Sequence, residues 1–273
     1  MAEARRTPEL PVAAGRVTES AIRIAVVHPE LLGTYGDGGN AVILARRLEW
    51  RQIASELVEV HPGAPVPDSC DVYCLGGGED KPQARAAAEL SHGQPLARAV
   101  EAGAAVLAVC AGFQILGRSF LGADGTPRDG LGLIDAVTDR GRGRRAVGEV
   151  VSTPTAALGA RGLPTLTGYE NHRWVTTLGP GVTPLGQVVS GVGNGAGDRS
   201  EGAVSGRVVG TYMHGPVMAR NPILADLILE SVVGPLDPIE DAEANALRAE
   251  RLAAVGAGGG ARWGPLRRWG RRR

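Results

Sequence analysis

The run A-A-V-L-A-V-C-A-G-F-Q, residues 104–114, decides the fold. Residues 104–109 are apolar without alternation, the pattern of a strand covered on both faces. Ala111 and Gly112 follow Cys110, and residues 112–120 read as a helix. A strand that turns directly into a helix, with small residues at the bend, lifts one side chain clear of the sheet. Here that side chain is Cys110. The helix N-terminus favours negative charge on the atom it faces, and the thiolate is the reactive form of cysteine. A free cysteine is equally at home as a small buried hydrophobe, so the flanking chain has to decide between the two.

Upstream, residues 22–28 (I-R-I-A-V-V-H) read as a near-continuous apolar strand. Asn40 can cap a helix that runs through Ala41, Val42, Ile43 and Leu44 towards Ile53. Residues 57–60 and 71–75 read as short strands, and residues 85–90 and 96–102 as helices. This βαβ series calls for an open, mostly parallel mixed sheet with helices on both faces, a three-layer, flavodoxin-like α/β plan. Downstream the character changes. Residues 130–189 are rich in Gly, Thr, Val and Pro, and the short runs 147–151 and 186–189 predict antiparallel strands at an edge of the same sheet. A strong strand returns at 206–213, followed by helices at 223–233 and about 239–254. The expected organisation is a flexible segment over 1–20, one α/β domain over 21–255 and a Gly/Arg-rich flexible tail over 256–273.

Charge narrows the function classes. The 273 residues carry 29 basic and 29 acidic side chains, yet six arginines fall within residues 261–273, where no acid balances them. The rest of the chain is therefore mildly acidic, and nucleic acid is not an expected partner; the basic tail reads as a solvated appendage. Cys70, Cys74 and Cys110 cannot complete a disulfide set, and the C-x3-C spacing lacks a second pair for zinc. No metal is expected. Cys74, inside 71–75, reads as a packed core thiol. No apolar run reaches the length of a membrane span, and residues 1–17 lack the hydrophobic stretch of a secretory signal. The expected location is the cytoplasm.

Two further segments bear on the chemistry. His214 closes G-R-V-V-G-T-Y-M-H, residues 206–214, at the C-terminal end of a strand, the edge at which Cys110 also emerges and at which open α/β sheets bind ligands. A histidine within reach of the thiol would take its proton and later protonate a leaving amine. The second segment is L-G-G-G-E-D, residues 75–80, a glycine run directly after a strand. Its backbone N–H groups can point into a cleft and, with the N–H of Ala111, stabilise an oxyanion. Turn formation and helix capping account for Asp37 and Asn40. His172, in a loop-like setting, is second choice as base.

In the order L-G-G-G-E-D, A-V-C-A-G-F-Q, G-T-Y-M-H-G, these segments resemble the class I, triad-type glutamine amidotransferases over most of residues 22–233. C-x-G-x-Q is the most specific piece. The resemblance implies Cys110 as the nucleophile that becomes a glutamyl thioester, His214 as base, and the Gly77, Gly78 and Ala111 amides as the oxyanion site. It implies that Gln114 helps hold the substrate, L-glutamine, and that an arginine downstream of the nucleophile does the same. Arg145 is the best match, with Arg144 its neighbour, and a guanidinium suits a bidentate grip on an α-carboxylate. Most members place a Glu two residues after the His, whereas this chain has His214-Gly215-Pro216. That pattern, with T-Y-G-D-G-G-N at 34–40 and G-Y-E-N-H at 168–172, is similar to the cobyric acid synthase-like branch, and within it to glutaminase subunits that pair with a MurT-like synthetase of the Mur ligase family. The resemblance then implies a heterodimer whose partner supplies the acidic third residue and holds ATP and Mg. The ammonia would amidate the D-glutamate of lipid II to D-isoglutamine in peptidoglycan synthesis.

The chain has no G-x-x-x-x-G-K-[ST] loop, and its single lysine, Lys81, is in no such context, so no cofactor is expected on it. Only about twenty residues precede the first strand, where cobyric acid synthases carry their ATP-dependent half. A free-standing subunit is the expectation, peripheral at the inner face of the membrane through its complex and weakly active on its own. The rival readings are a component of a cobyrinic or cobyric acid-type amidation, a DJ-1-like cysteine protein with another substrate, and a non-catalytic interaction subunit.

Overall fold

Strand β1 (Ile22–Val27) leads through α1 (Pro29–Leu32) and α2 (Gly39–Glu49) to β2 (Ser55–Val60) in the computed structural model, which describes residues 10–14 and 20–257. The chain returns as β3 (Val72–Leu75), α3 (Asp80–Ser91), α4 (Pro95–Glu101), β4 (Ala105–Val109) and α5 (Ala111–Leu116). An excursion follows: β5 (Ser119–Leu121), β6 (Pro127–Asp129), β7 (Ala136–Arg140), β8 (Ala146–Pro154), α6 (Ala156–Ala160), β9 (Leu166–His172), β10 (Trp174–Leu178), β11 (Gly186–Ser190) and β12 (Ser200–Glu201). It ends in β13 (Ala203–Ser205) and β14 (Val208–Thr211), then α7 (Val217–Arg220), α8 (Pro222–Val233) and α9 (Ala242–Ala257).

The central six-stranded sheet has the order β13-β14-β4-β3-β1-β2, parallel throughout except for the β13–β14 pair. All five residues of β4 are buried, as a central strand covered on both faces requires. Each fully buried Leu or Val there, such as Leu107 or Val106, contributes roughly 1.5–3 kcal/mol. From β1 the chain steps one way to β2 and then the other way through β3 and β4 to β14. Right-handed crossovers therefore place α2 and α3 on opposite faces. α2 packs with α8, while α5 packs with α3 against β4 and β14. The strand order reverses between β1 and β3, which opens a crevice at the C-terminal edge of the sheet.

The excursion departs from the sequence expectation. Residues 119–201 do not extend an edge of the main sheet. They form two further four-stranded sheets, β10-β7-β5-β6 and β12-β11-β8-β9. Several of their strands are buried on one face only, as in β11 where Val188 is buried between exposed Gln187 and Val189. One-sided strands of this kind complete small separate sheets rather than join one covered on both faces. The helix after Cys110 ends at Leu116 rather than 120, and Phe120 belongs to β5. Gly117 takes an extended conformation there, and a Cβ on it would sit 2.8 Å from the Ala136 carbonyl oxygen.

At the N-terminus, residues 10–14 depart from the flexible segment expected over 1–20. Leu10 is fully buried and donates its N–H to the Gly206 oxygen at 2.9 Å, and Ala13 donates to the Glu230 oxygen at 3.0 Å. The rest of that segment, residues 1–9 and 15–19, and the tail from 258 onward lie outside the described residues. Among the described residues, no helix is long and apolar enough to cross a membrane.

Candidate active site

Cys110 stands at the bend between β4 and α5 with φ 52° and ψ −105°, a conformation a side-chain-bearing residue seldom adopts. The surroundings hold it there. Its N–H donates to the Thr211 oxygen at 2.8 Å, so the bend hangs on the neighbouring strand β14. Gly112 donates to the Gly76 oxygen at 3.1 Å, and a Cβ on Gly112 would come within 2.8 Å of Leu75 Cβ. Only a glycine lets the elbow press this closely on the end of β3. The thiol is nearly covered yet lines a cleft.

His214 comes from the loop after β14, where its backbone exchanges hydrogen bonds with Tyr169 at 2.8 and 3.2 Å. Register explains its place beside the thiol: Thr211 pairs with Val109, so the next residues of both strands leave the sheet together. The imidazole is buried and packs edge-on against Tyr35, ring centroids 4.8 Å apart. Its Nδ1 lies 2.9 Å from Asp37 Oδ2, and Nε2 has no hydrogen-bond partner. Burial works to lower the His214 pKa, but the Asp37 hydrogen bond, then the neighbouring Cys110 sulfur, override it and raise the value to about 10. The upward shift favours the protonated ring, whose Nδ1–H donates to Asp37.

A turn role was expected for Asp37, yet its carboxylate is fully buried against the imidazole, in the position of the third acid expected from the partner. The same Oδ2 accepts the Gly77 N–H at 2.8 Å. Gly77 is thus withdrawn from the oxyanion role, since its one donor is spent on Asp37. Its lack of a side chain matters instead, because a Cβ there would lie 2.6 Å from His214 Cε1. The Gly78 and Ala111 amides donate to no backbone acceptor among the described residues; Gly78 lines the cleft, and Ala111 follows Cys110 directly at the start of α5.

The cleft measures about 180 Å³, below the roughly 300–1,000 Å³ of drug-sized sites and suited to a ligand of few atoms. Cys110, Gly78 and Arg145 line it, and Glu79 and Asp80 add an acidic wall. Arg145 Nε donates to Asn171 Oδ1 at 2.6 Å, and Asn171 Nδ2 donates to the Tyr35 hydroxyl at 2.6 Å. A polar chain therefore runs from the guanidinium to the ring that packs on His214. Arg144 does not reach the cleft and borders an adjoining cavity. Gln114 does not reach it either. Its side chain is buried, accepts from Gln83 at 2.8 Å and donates to the Tyr212 hydroxyl at 3.2 Å, so its amide braces the cleft floor from behind. His172 lines the cleft, but its Nδ1 meets the Trp174 carbonyl at 3.1 Å and its ring stacks on Tyr212. Cys74 is fully packed, and burial pushes its thiol up to about 12.

Sequence reasoning missed Asp37, Tyr35, Asn171 and the acidic wall as site residues. The first two lie in T-Y-G-D-G-G-N and Asn171 in G-Y-E-N-H, segments set apart by resemblance with no chemical role assigned to them.

The profile of the CobB/CobQ-like glutamine amidotransferase domain matches residues 23–222. The lipid II isoglutaminyl synthase (glutamine-hydrolyzing) subunit GatD of Staphylococcus aureus (strain N315) is 36% identical over 201 residues, 73% of this chain and 79% of that protein. The subunit of the same name from Streptococcus pneumoniae (strain ATCC BAA-255 / R6) is 32% identical, over 75% of this chain and 77% of its own. A cobyric acid synthase of Pelotomaculum thermopropionicum is 40% identical but over only 46% of this chain and 26% of its own. Among solved structures, a glutamine amidotransferase superposes with a TM-score of 0.52 at 21% identity, covering 77% of this chain and 98% of that one, a likeness of fold. The chain belongs to the CobB/CobQ-like glutamine amidotransferase family.

Proposed function

We propose that this member of the CobB/CobQ-like glutamine amidotransferases is the glutaminase subunit of a lipid II isoglutaminyl synthase. It hydrolyses L-glutamine and passes ammonia to a MurT-like, ATP-dependent synthetase of the Mur ligase family. The two GatD relatives cover about three quarters of this chain and of themselves, whereas the cobyric acid synthase match takes in less than half of it. ATP and Mg belong to the partner in this reading, as does the acceptor, the D-glutamate of lipid II.

The observation that carries the hydrolase reading is the buried Asp37–His214 pair beside a strained elbow cysteine. Glutamine enters with its α-carboxylate at Arg145 and its α-ammonium towards Glu79 and Asp80, which sets the side-chain amide over Cys110. The thiolate attacks the amide carbon. The carbonyl π electrons move to oxygen, where the Gly78 and Ala111 amides receive the charge. His214 gives its Nε2 proton to the nitrogen as the C–N bond breaks, leaving ammonia and a glutamyl thioester. Water then attacks the thioester, the neutral imidazole takes its proton, and the thiolate departs with release of glutamate. Asp37 keeps Nδ1 protonated throughout, so Nε2 is the nitrogen that exchanges the proton.

Ammonia release from glutamine by the wild type and Cys110→Ala, with and without the synthetase, tests the reading. The wild type should be slow unaided and faster with the partner, and the variant inactive in both. Full-rate hydrolysis by Cys110→Ala would overturn it.

A further inference from the structure

The end of β7, the loop between β7 and β8 and the single residue between β9 and β10 bring five arginines together. Register places them: Arg140 pairs with Trp174, Ala146 pairs with His172, and Gly141 donates to the Arg173 oxygen at 2.9 Å. The 141–145 loop is thereby held against residues 172–174. Arg140, Arg142, Arg144, Arg145 and Arg173 are all exposed, and among the described residues none of them makes an ion pair with a carboxylate. Among exposed arginines elsewhere, Arg199 bonds to the Val188 and Val189 carbonyls, whereas others pair with acids. Arg46, Arg85 and Arg98 each sit against an acid of this chain. Arg140 instead lies over the Trp174 ring at 5.9 Å, and Arg145 is bonded to Asn171.

The position of this collar gives it meaning. Arg140, Arg145 and Arg173 line the cleft that holds Cys110. Arg142, Arg144 and Arg173 line a second cavity of about 180 Å³, which shares His172, Arg173 and Trp174 with the first. The two cavities are neighbours across one short stretch of chain. A partner seated on Arg142 and Arg144 would thus stand next to the place where ammonia is released. Unlike charges steer association and fix register across an interface, whereas like charges left within about 8–10 Å of one another repel. The free cations call for carboxylates from outside.

We infer that this arginine collar is the docking surface for an acidic segment of the ATP-dependent synthetase, seated beside the mouth of the cleft. The inference rests on the glutaminase reading above and adds the place and the chemistry of the contact. Arg142 and Arg144 lie outside the proposed catalytic and glutamine-binding groups, so they separate docking from hydrolysis.

The test measures binding of the MurT-like synthetase from the same organism to the wild type, to Arg142→Glu/Arg144→Glu and to the milder Arg142→Ala/Arg144→Ala, at low and high salt. Wild-type affinity should fall about tenfold or more as salt rises. The charge-reversed pair should bind about a hundredfold more weakly at low salt, mostly through a slower on-rate, with a flattened salt response. The alanine pair should fall between, and keeps the test decisive if the glutamates disturb folding. Cys110 labelling by a glutamine-like electrophile should be equal in all three. Unchanged synthetase affinity in both double variants overturns the inference. So does loss of binding to phosphatidylglycerol vesicles with synthetase affinity intact, which would assign the collar to a membrane. Failure of the wild type to label would instead strike the glutaminase reading and leave the docking measurement standing by itself.

Discussion

Asp37 Oδ2 serves two donors at once, the His214 ring and the Gly77 amide, and the Asp37 and His214 side chains are both buried. Replacing the carboxylate by an amide of the same shape removes the charge that sustains the imidazolium while burial continues to oppose it. Asp37→Asn should therefore bring the His214 pKa down from about 10 towards or below its ordinary value. The change can be read by NMR titration of ring-labelled histidine. The rate of ammonia release should fall by about 10²–10⁴-fold, the range over which a mis-set base or tautomer acts. Circular dichroism should be unchanged. A wild-type rate in Asp37→Asn with the synthetase bound would show that the acid comes from the partner, as the sequence resemblance implied. Cys110 and His214 could be read from the chain because local pattern marks them, one by a strand-to-helix bend and the other by a strand end. Asp37 carries no such mark. A turn aspartate and an aspartate whose carboxylate meets a ring 177 positions away look identical in sequence.

At the scale of elements, the βαβ half was legible because two-face burial writes itself as unbroken apolar runs, as in 22–28 and 104–109. The excursion was legible as strands but not as sheets. Short alternating runs state that one face is buried and leave open which neighbour buries it, so 147–151 and 186–189 gave strands β8 and β11 without their sheet. How α2, α8 and α9 join was equally hidden. Arg47 of α2, itself buried, makes paired hydrogen bonds to Asp226 of α8 at 2.6 Å and to Asp241, just before α9, at 2.7 and 3.0 Å. Arg47→Ala leaves two carboxylates facing each other with only Arg51 against Asp226. Breaking a buried pair from one side costs about 3–5 kcal/mol. Urea unfolding of the variant should show a loss of that size, and a loss under 1 kcal/mol would mean that water fills the gap without penalty.

Across the whole molecule, most buried titrating groups with a shifted pKa are raised, and His28, which burial holds below its ordinary 6.5, is the exception. Burial pushes the Glu201 carboxyl up to about 7, against the hydrogen bonds it accepts from Thr211 and the Tyr212 amide. His214 is raised to about 10 and the Cys74 thiol to about 12. Each of these binds a proton more tightly folded than unfolded, so the native state holds more protons and stability falls as pH rises through each window. For Glu201 that window runs from the ordinary 4.5 to about 7. For His214 the stabilisation is complete below 6.5 and is lost as pH climbs through about 10. Exposed Asp68 and Asp124, lowered by their hydrogen bonds, act with the opposite sign only in stronger acid. The melting temperature should therefore decline from about pH 5 to pH 10, less steeply below pH 6.5, where His28, lowered by burial, gains stability as pH rises and offsets part of the Glu201 loss. Each group limits its own share of that decline to about 1.4 kcal/mol per pH unit, and the shares add where the windows overlap, around pH 7 and above pH 9. Glu201→Gln keeps the size of the side chain and removes the charge that burial penalises, so it should flatten the curve between pH 4.5 and 7 and leave the decline from 7 to 10 in place. Melting curves of the two proteins across that range decide the matter: a parallel decline in both would show that Glu201 stays ionised in the core and that its desolvation is met by partners outside the bonds to Thr211 and Tyr212.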